Sequence, residues 1–379
     1  MYLKSALAAV VTAAILVGPA LAQDVLKIPN IIELSGGGAT VGINWKNGSS
    51  IAAEEINAAG GILGKKIALE FIDTASEPGK ATAAMQRALD DKPVAVFGPI
   101  YSGSVGPTLK MTNEAEVPQI MGGEAGPLTA QGSKYLFRTS FGQNVSMPKI
   151  ANYLRDGAKI KNLAIVYVNN DFGKGGRNAI VKELESRGIK VVADLSTESG
   201  QADFAADVVK VKAANADAVF VYTNEEEAAR FLIEAKKQGL TIPMIGETTL
   251  LGQKVIDLAK DAANGVKGHV GLTVDAPDPL VQAFAKKFEE KYKYRSDHNG
   301  MKGYIAVYML KAAAEKAGKL EPKAIAAALH GLTISPATTP GILIEATWDD
   351  TGEIDRISYL AEVKEGKQVI TETLPKLKK

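Results

Sequence analysis

The sequence predicts a two-lobed α/β protein, and three observations carry that expectation. The chain has 379 residues, more than one hydrophobic core usually serves, so two units are expected. Short runs rich in Val and Ile alternate from end to end with amphipathic stretches of helical period, the pattern of mainly parallel sheets flanked by helices. After residues 135–140 the alternation starts afresh, as a second unit would.

Strands are expected at 26–34, 66–73, 94–99, 119–122, 163–168, 190–195, 218–222 and 243–246. Between the first two, Trp45, Ser49, Ala52 and Ile56 recur at helical spacing and mark one buried face. Phe231, Leu232 and Ile233 belong to another helix, which Gly239 closes. Two segments break the rhythm: the β-like stretch 135–140, followed by Phe141-Gly142-Gln143-Asn144, and 269–274, which runs into Asp275-Ala276-Pro277-Asp278-Pro279. Beyond it two long helices follow with no strand before Ile342. The lobes are therefore expected at 24–140 plus 275–345 and at 141–270 plus 355–379, joined by more than one crossing.

Composition excludes several classes. Hydrophobic residues at 46% and charged residues at 23% fit a globular chain and not collagen, disorder or a multi-span membrane protein. With 44 Lys plus Arg against 43 Asp plus Glu there is no basic field to hold nucleic acid. Cysteine is absent, which removes disulfides, thiolate metal sites and thiol nucleophiles. Residues 1–22 have the layout of a secretory signal: Lys4, an apolar run over 6–17, Pro19, then Ala20-Leu21-Ala22 with cleavage after Ala22. The run is shorter than the roughly 20 residues of a spanning helix, so an exported chain beginning at Gln23 is expected rather than an anchored one.

The turns carry the candidate chemistry. Gly36-Gly37-Gly38-Ala39-Thr40 lies between a strand and a helix, but Val41 stands where the third glycine of a dinucleotide turn belongs and no Gly-Lys-Ser/Thr follows, so a plain glycine turn is expected. Gly98-Pro99-Ile100-Tyr101-Ser102 leads a strand into a helix; Ser102 either caps that helix or, with the free N–H groups there, docks a carboxylate. Gly122-Gly123-Glu124-Ala125-Gly126-Pro127 is a second small-residue turn, either a plain loop or a place where backbone meets a ligand. Asp171-Phe172-Gly173 lacks the partners of a kinase triplet; Phe172 packs in the core or presents its ring at the end of a strand. The acidic runs, Glu225-Glu226-Glu227 among them, are expected as solvated faces. His269, His298 and His330 show no metal-ligand spacing, and no nucleophile and base pair is present. Neither an enzyme nor a bound cofactor or metal is expected.

The ordered set Asn47-Gly48, Glu55-Ile56-Asn57, Gly60-Gly61-Ile62, Gly64-Lys65-Lys66, Asp73, Gly98-Pro99, Ser102, Asp171-Phe172-Gly173, Asp261-Ala262-Ala263-Asn264-Gly265 and Gly303-Tyr304 with Ala306 resembles leucine/isoleucine/valine-type periplasmic binding proteins over essentially the whole mature chain. The resemblance implies the type I periplasmic binding protein fold, three hinge crossings, and capture of a small molecule for the membrane permease of an ABC importer. It implies a periplasmic monomer. By the same resemblance Ser102 takes a ligand carboxylate with backbone at Gly123, Glu124 and Ala125, Phe172 is the aromatic wall of the opposite lobe, and Asn224, Glu225, Glu247 and Thr248 fall where relatives place side-chain contacts and the acidic partner of an α-amino group.

Three departures bear on the ligand. Thr248 occupies the amine-pairing position with Glu247 beside it, Ala125 lacks a hydroxyl, and Tyr101 replaces a small residue next to Ser102. A buried ammonium without a partner is costly. The expected ligand is therefore an apolar or aromatic organic acid, with a branched-chain amino acid as the alternative. An exported enzyme and a ligand-sensing module are the readings from other classes.

Overall fold

The structure, a computed structural model, describes residues 25–377; the expected signal peptide and its cleavage after Ala22 lie outside the described residues. Strands β1 (Val25–Ile32), β2 (Lys66–Asp73), β3 (Val96–Phe97), β4 (Gln119–Met121) and β5 (Leu136–Arg138) form a parallel sheet in the order β2-β1-β3-β4-β5. Strands β6 (Asn162–Val168), β7 (Lys190–Thr197), β8 (Ala218–Tyr222), β9 (Met244–Gly246) and β10 (Lys267–Val270) repeat that order as β7-β6-β8-β9-β10. A small antiparallel sheet joins β11 (Thr333–Ile334), β12 (Ala346–Trp348) and β13 (Ile354–Asp355). The hairpin β14 (Ser358–Lys364) and β15 (Lys367–Leu374) then extends the second sheet beyond β10, antiparallel to it.

Burial explains the strand sequences. Every residue of β8 is buried, as expected of a parallel strand covered on both faces, whereas the edge strand β7 alternates exposed and half-buried residues. Strand β3 is only two residues long because Gly98, at φ 82°, bends the chain away and Pro99 has no N–H for the ladder.

Helix 39–58 packs along helix 298–317 more closely than side chains would permit. A Cβ on Gly48 would lie 1.9 Å from the Gly300 carbonyl oxygen, and one on Gly303 would lie 2.2 Å from that of Trp45. Across the same contact Glu55 Oε2 accepts from the hydroxyls of Tyr304 at 2.6 Å and Tyr308 at 2.7 Å. Trp45, Ser49, Ala52 and Ile56 are buried here, forming the expected face. The region after β10 differs from expectation: three helices (Pro279–Tyr292, His298–Ala317 and Pro322–Leu329) precede β11, and Ile342 lies in a 3₁₀ turn. A two-residue strand such as β11 is too short to show a period of two.

The chain passes between the two large sheets three times, over 139–142, 271–278 and 356–357. Arg138, fully buried at the first crossing, donates from Nε to Glu353 Oε2 at 3.0 Å beside the third. The same carboxylate accepts from Thr129 Oγ1 at 2.9 Å, Gly142 N at 3.0 Å and Ile354 N at 3.3 Å. Arg138 also donates to the carbonyls of Gly123 and Ala125. Removing one member of a buried ion pair strands the other charge. Glu353→Ala is therefore expected to lower the unfolding free energy by about 3–5 kcal/mol in urea titration; a loss below about 1 kcal/mol would mean that the carbonyls at Gly123 and Ala125 satisfy Arg138 unaided.

Candidate functional site

In an open α/β sheet, ligands lodge beyond the carboxyl ends of the strands where the strand order reverses. Both large sheets reverse at matching places, between β1 and β3 and between β6 and β8. The loops after these strands face one another around a cavity of about 500 Å³. One wall carries Ile100, Tyr101, Ser102, Gly122 and Glu124, and the other Asn170, Phe172, Asn224, Glu225 and Arg230.

Ser102 is the first residue of helix 102–115, and its hydroxyl makes no capping bond. Its Oγ instead accepts from the backbone N–H groups of Glu124 at 3.2 Å and Ala125 at 3.1 Å. The hydroxyl proton remains free to donate toward the cavity, beside the unpaired amides of the helix start. The loop before it is held by Glu33, at the end of β1, whose carboxylate accepts from Ile100 N at 3.2 Å and Tyr101 N at 3.0 Å. Burial pushes Glu33 up to about 7, with these backbone bonds opposing. Tyr101 donates its hydroxyl to the Gly37 carbonyl at 3.3 Å and lines the cavity.

Phe172 fills both roles open to it. Its ring lines the cavity and stacks on Tyr222 with centroids 4.3 Å apart. Asn170 caps the helix that carries it, accepting from Gly173 N at 2.9 Å.

Six of the ten sequence-selected residues line the cavity: Tyr101, Ser102, Glu124, Phe172, Asn224 and Glu225. Gly123 and Ala125 lie behind that wall, their carbonyls taken by Arg138, and Ala125 contributes its N–H to Ser102. Glu247 and Thr248 do not line it. Glu247 is buried against His269 Nδ1, and its other oxygen accepts from Thr248 N at 2.7 Å. Although burial opposes ionisation, the His269 ring and these hydrogen bonds hold the Glu247 carboxyl below its ordinary range. Thr248 spends its hydroxyl on Gly271 N at 3.1 Å. The next residue, Thr249, lines the cavity instead.

The run Glu225-Glu226-Glu227 is not a solvated face. It forms the first turn of helix 225–237, whose start points into the cleft, and Glu225 and Glu227 are both buried. Glu227 accepts from Gly200 N at 2.6 Å, and Glu226 meets Arg230 at 3.5 Å. Among the described residues Glu225 accepts from none but its own backbone N–H. Burial, then the nearby Asp297 and Glu124, raise its carboxyl to about 7, with Lys302 opposing.

Sequence reasoning missed the contribution of helix 298–317. His298, Asn299 and Lys302 line the cavity from its first turns. Lys302 Nζ pairs with Glu124 Oε1 at 2.6 Å, both buried. Their only signal in sequence is the spacing of four between His298 and Lys302, which aligns them on one helical face but not on the cleft. Among the described residues no group of three His, Asp or Glu could hold a metal ion, and no helix is long and apolar enough to cross a membrane.

Two lobes of identical strand order, three crossings and a cavity lined by apolar, aromatic and polar side chains between switch-point loops define a hinged solute-binding protein. The chain belongs to the periplasmic binding protein family, whose model matches residues 25–368. An amino acid binding protein of Pseudomonas aeruginosa is 30% identical, covering 86% of this chain and 86% of its own length. A branched-chain amino acid transporter substrate-binding protein of Streptococcus pneumoniae, in complex with isoleucine, has a TM-score of 0.82 at 25% identity over 93% of this chain and 100% of that one. A solute-binding protein of an ABC transporter from R. palustris, in complex with benzoate, has a TM-score of 0.85 at 23% identity over 93% of this chain and 97% of that one, a likeness of fold. The protein is accordingly a binding protein and not an enzyme.

The raised carboxyl fixes the sign of a pH effect. Between about 4.5 and about 7 the native Glu225 keeps a proton that the unfolded chain has lost, so its contribution to stability falls as pH rises through that window. Relative to wild type, Glu225→Gln is expected to gain stability from pH 4.5 to 7, by on the order of 3 kcal/mol, and to gain no more above it. Thermal or urea unfolding of the ligand-free proteins across that range checks it; a gap that does not change with pH would place the native carboxyl at its ordinary value.

Proposed function

We propose that the protein captures an α-amino acid in the periplasm and hands it to the permease of an ABC importer. The observation that carries this reading is the Glu225 carboxyl, buried on the cavity wall and, among the described residues, with no ion pair or hydrogen bond from another residue. Of the other carboxylates on the cavity wall, Glu124 pairs with Lys302, Glu226 with Arg230, and Glu227 accepts from Gly200 N. A simple organic anion would add negative charge beside Glu225. A zwitterion supplies the missing ammonium and leaves its carboxylate for Ser102 and the helix start behind it. The amine partner expected near Glu247 and Thr248 is thus drawn from a different loop, the one following β8.

Capture works by closure. Ser102 and Tyr101 belong to one lobe, Glu225 and Phe172 to the other, so only the closed form touches the ligand from both sides and ligand shifts the equilibrium toward it. The family and the relatives that bind amino acids support this function. The aromatic side chains of Tyr101 and Phe172 on the cavity wall favour the second reading, an aromatic acid.

The two readings separate in a calorimetric panel of amino acids, their 2-oxo acid counterparts and benzoate. The amino-acid reading requires an amino acid to bind more tightly than its 2-oxo counterpart, with Glu225→Gln abolishing the difference. Tight benzoate binding, indifferent to Glu225→Gln, would refute it. In either case Ser102→Ala is expected to weaken binding by about 1.5–3 kcal/mol, one charged hydrogen bond; unchanged affinity would remove Ser102 from the site.

A further inference from the structure

On the cavity wall, His298 and Thr249 carry polar side chains without hydrogen-bond partners among the described residues. The imidazole of His298 is 3% exposed, lines the cavity and makes no hydrogen bond with any described residue. Thr249 Oγ1 is buried, likewise without a partner, on a residue 8% exposed that also lines the cavity. They approach from opposite lobes. His298 opens helix 298–317, and the turn that follows β9 carries Thr249. A Cβ on Gly252 of that turn would lie 3.3 Å from the Thr249 carbonyl oxygen and 3.7 Å from His298 Cε1, so the ring abuts the turn across the cleft.

Both groups are held rather than loose. Asp297 caps the helix, accepting from Asn299 N at 2.8 Å and Gly300 N at 3.2 Å, which fixes the backbone on either side of His298. Thr249 follows Thr248 and Glu247, which are anchored to Gly271 and His269.

We propose that His298 and Thr249 form a side-chain subsite that selects amino acids bearing a neutral amide or hydroxyl group over their apolar isosteres. The inference rests on the reading of the cleft as an amino-acid site. A buried donor and acceptor set left unpaired by an apolar ligand costs affinity, which is how sites reject isosteres that lack a polar group. The charges nearby require the selected group to be neutral. Burial and the adjacent Lys302 push the His298 imidazole well below its ordinary value, so it is uncharged and offers one N–H and one lone pair. A cationic side chain would find Glu124 already paired with Lys302, and Glu225 is assigned to the ligand's own ammonium. An acidic one would meet Glu124 and Glu225, of which Lys302 already neutralises the first.

Isosteric pairs test the proposal. Calorimetry on the full protein compares asparagine with leucine and threonine with valine, in wild type and in Thr249→Val and His298→Leu. The polar member of at least one pair is expected to bind at least about tenfold more tightly than its isostere, and either variant to narrow that ratio several-fold. Leucine and valine binding as tightly as their polar counterparts, or a preference that neither variant alters, overturns the subsite and leaves the amino-acid reading in place. Binding of 2-oxo acids or benzoate with no amino acid overturns both. If His298→Leu does not fold, the wild-type ratios and the conservative Thr249→Val decide alone.

Discussion

The Arg138–Glu353 pair is the constraint on which the rest of the cleft depends. A guanidinium with no exposure must direct its donors to fixed acceptors, and here they go to one carboxylate from beside the third crossing and two carbonyls from the turn after β4. That turn presents the amides of Glu124 and Ala125 to Ser102. The hinge and the wall of the binding site are therefore joined through one side chain. Gly142, the residue before helix 143–152 in the second lobe, also donates to Glu353, so the start of that lobe is pinned to the same point.

Around the cavity the energetics invert what is found in a core. Interior polar groups are almost always satisfied, yet Glu225, His298 and Thr249 meet the cavity without partners from other residues. Glu225 and His298 each represent a cost of closing an empty cleft, since closure removes water and provides no replacement, and Thr249 Oγ1 is already shut away from water. A ligand that completes all of them offsets that cost, and so favours the closed form. Selectivity and closure thus derive from the same unpaired atoms: a solute that satisfies only some of them is held less tightly and closes the lobes less completely.

The α/β class and the doubled βαβ rhythm were legible because strands such as β6 and β8 are long apolar runs between turn residues. What lay at their carboxyl ends was legible for the same reason. Tyr101, Ser102, Phe172, Asn224 and Glu225 all follow directly after a strand, where the topology rule directs attention. Helix 298–317 was not legible as a contributor. It follows no strand of its sheet, and its place at the cleft depends on the glycine-mediated contact of Gly48 and Gly303 with a helix some 250 positions earlier. The C-terminal hairpin was missed for another reason: no residue of β15 is buried, and Val369, Ile370 and Leu374 stand among charged and polar side chains, so its pairing with β14 rather than its hydrophobicity defines it.

The fate of residues 247–249 shows how such a scaffold changes its ligand chemistry. Glu247 carries a carboxylate within one residue of the position that resemblance assigns to the amine partner, yet it is consumed by His269 inside the second sheet. Its attachment turns Thr248 toward Gly271 and brings Thr249 to the cavity. The carboxyl left to face the cavity is instead Glu225, in the first turn of a helix, where its own backbone N–H opposes the rise that burial imposes. Because loops after β8 and β9 converge on one crevice, a charge can migrate from one to the other without altering the sheet, the hinge or the carboxylate pocket at Ser102. The position it vacates becomes free for a hydroxyl, and a neutral contact takes the place of a charged one.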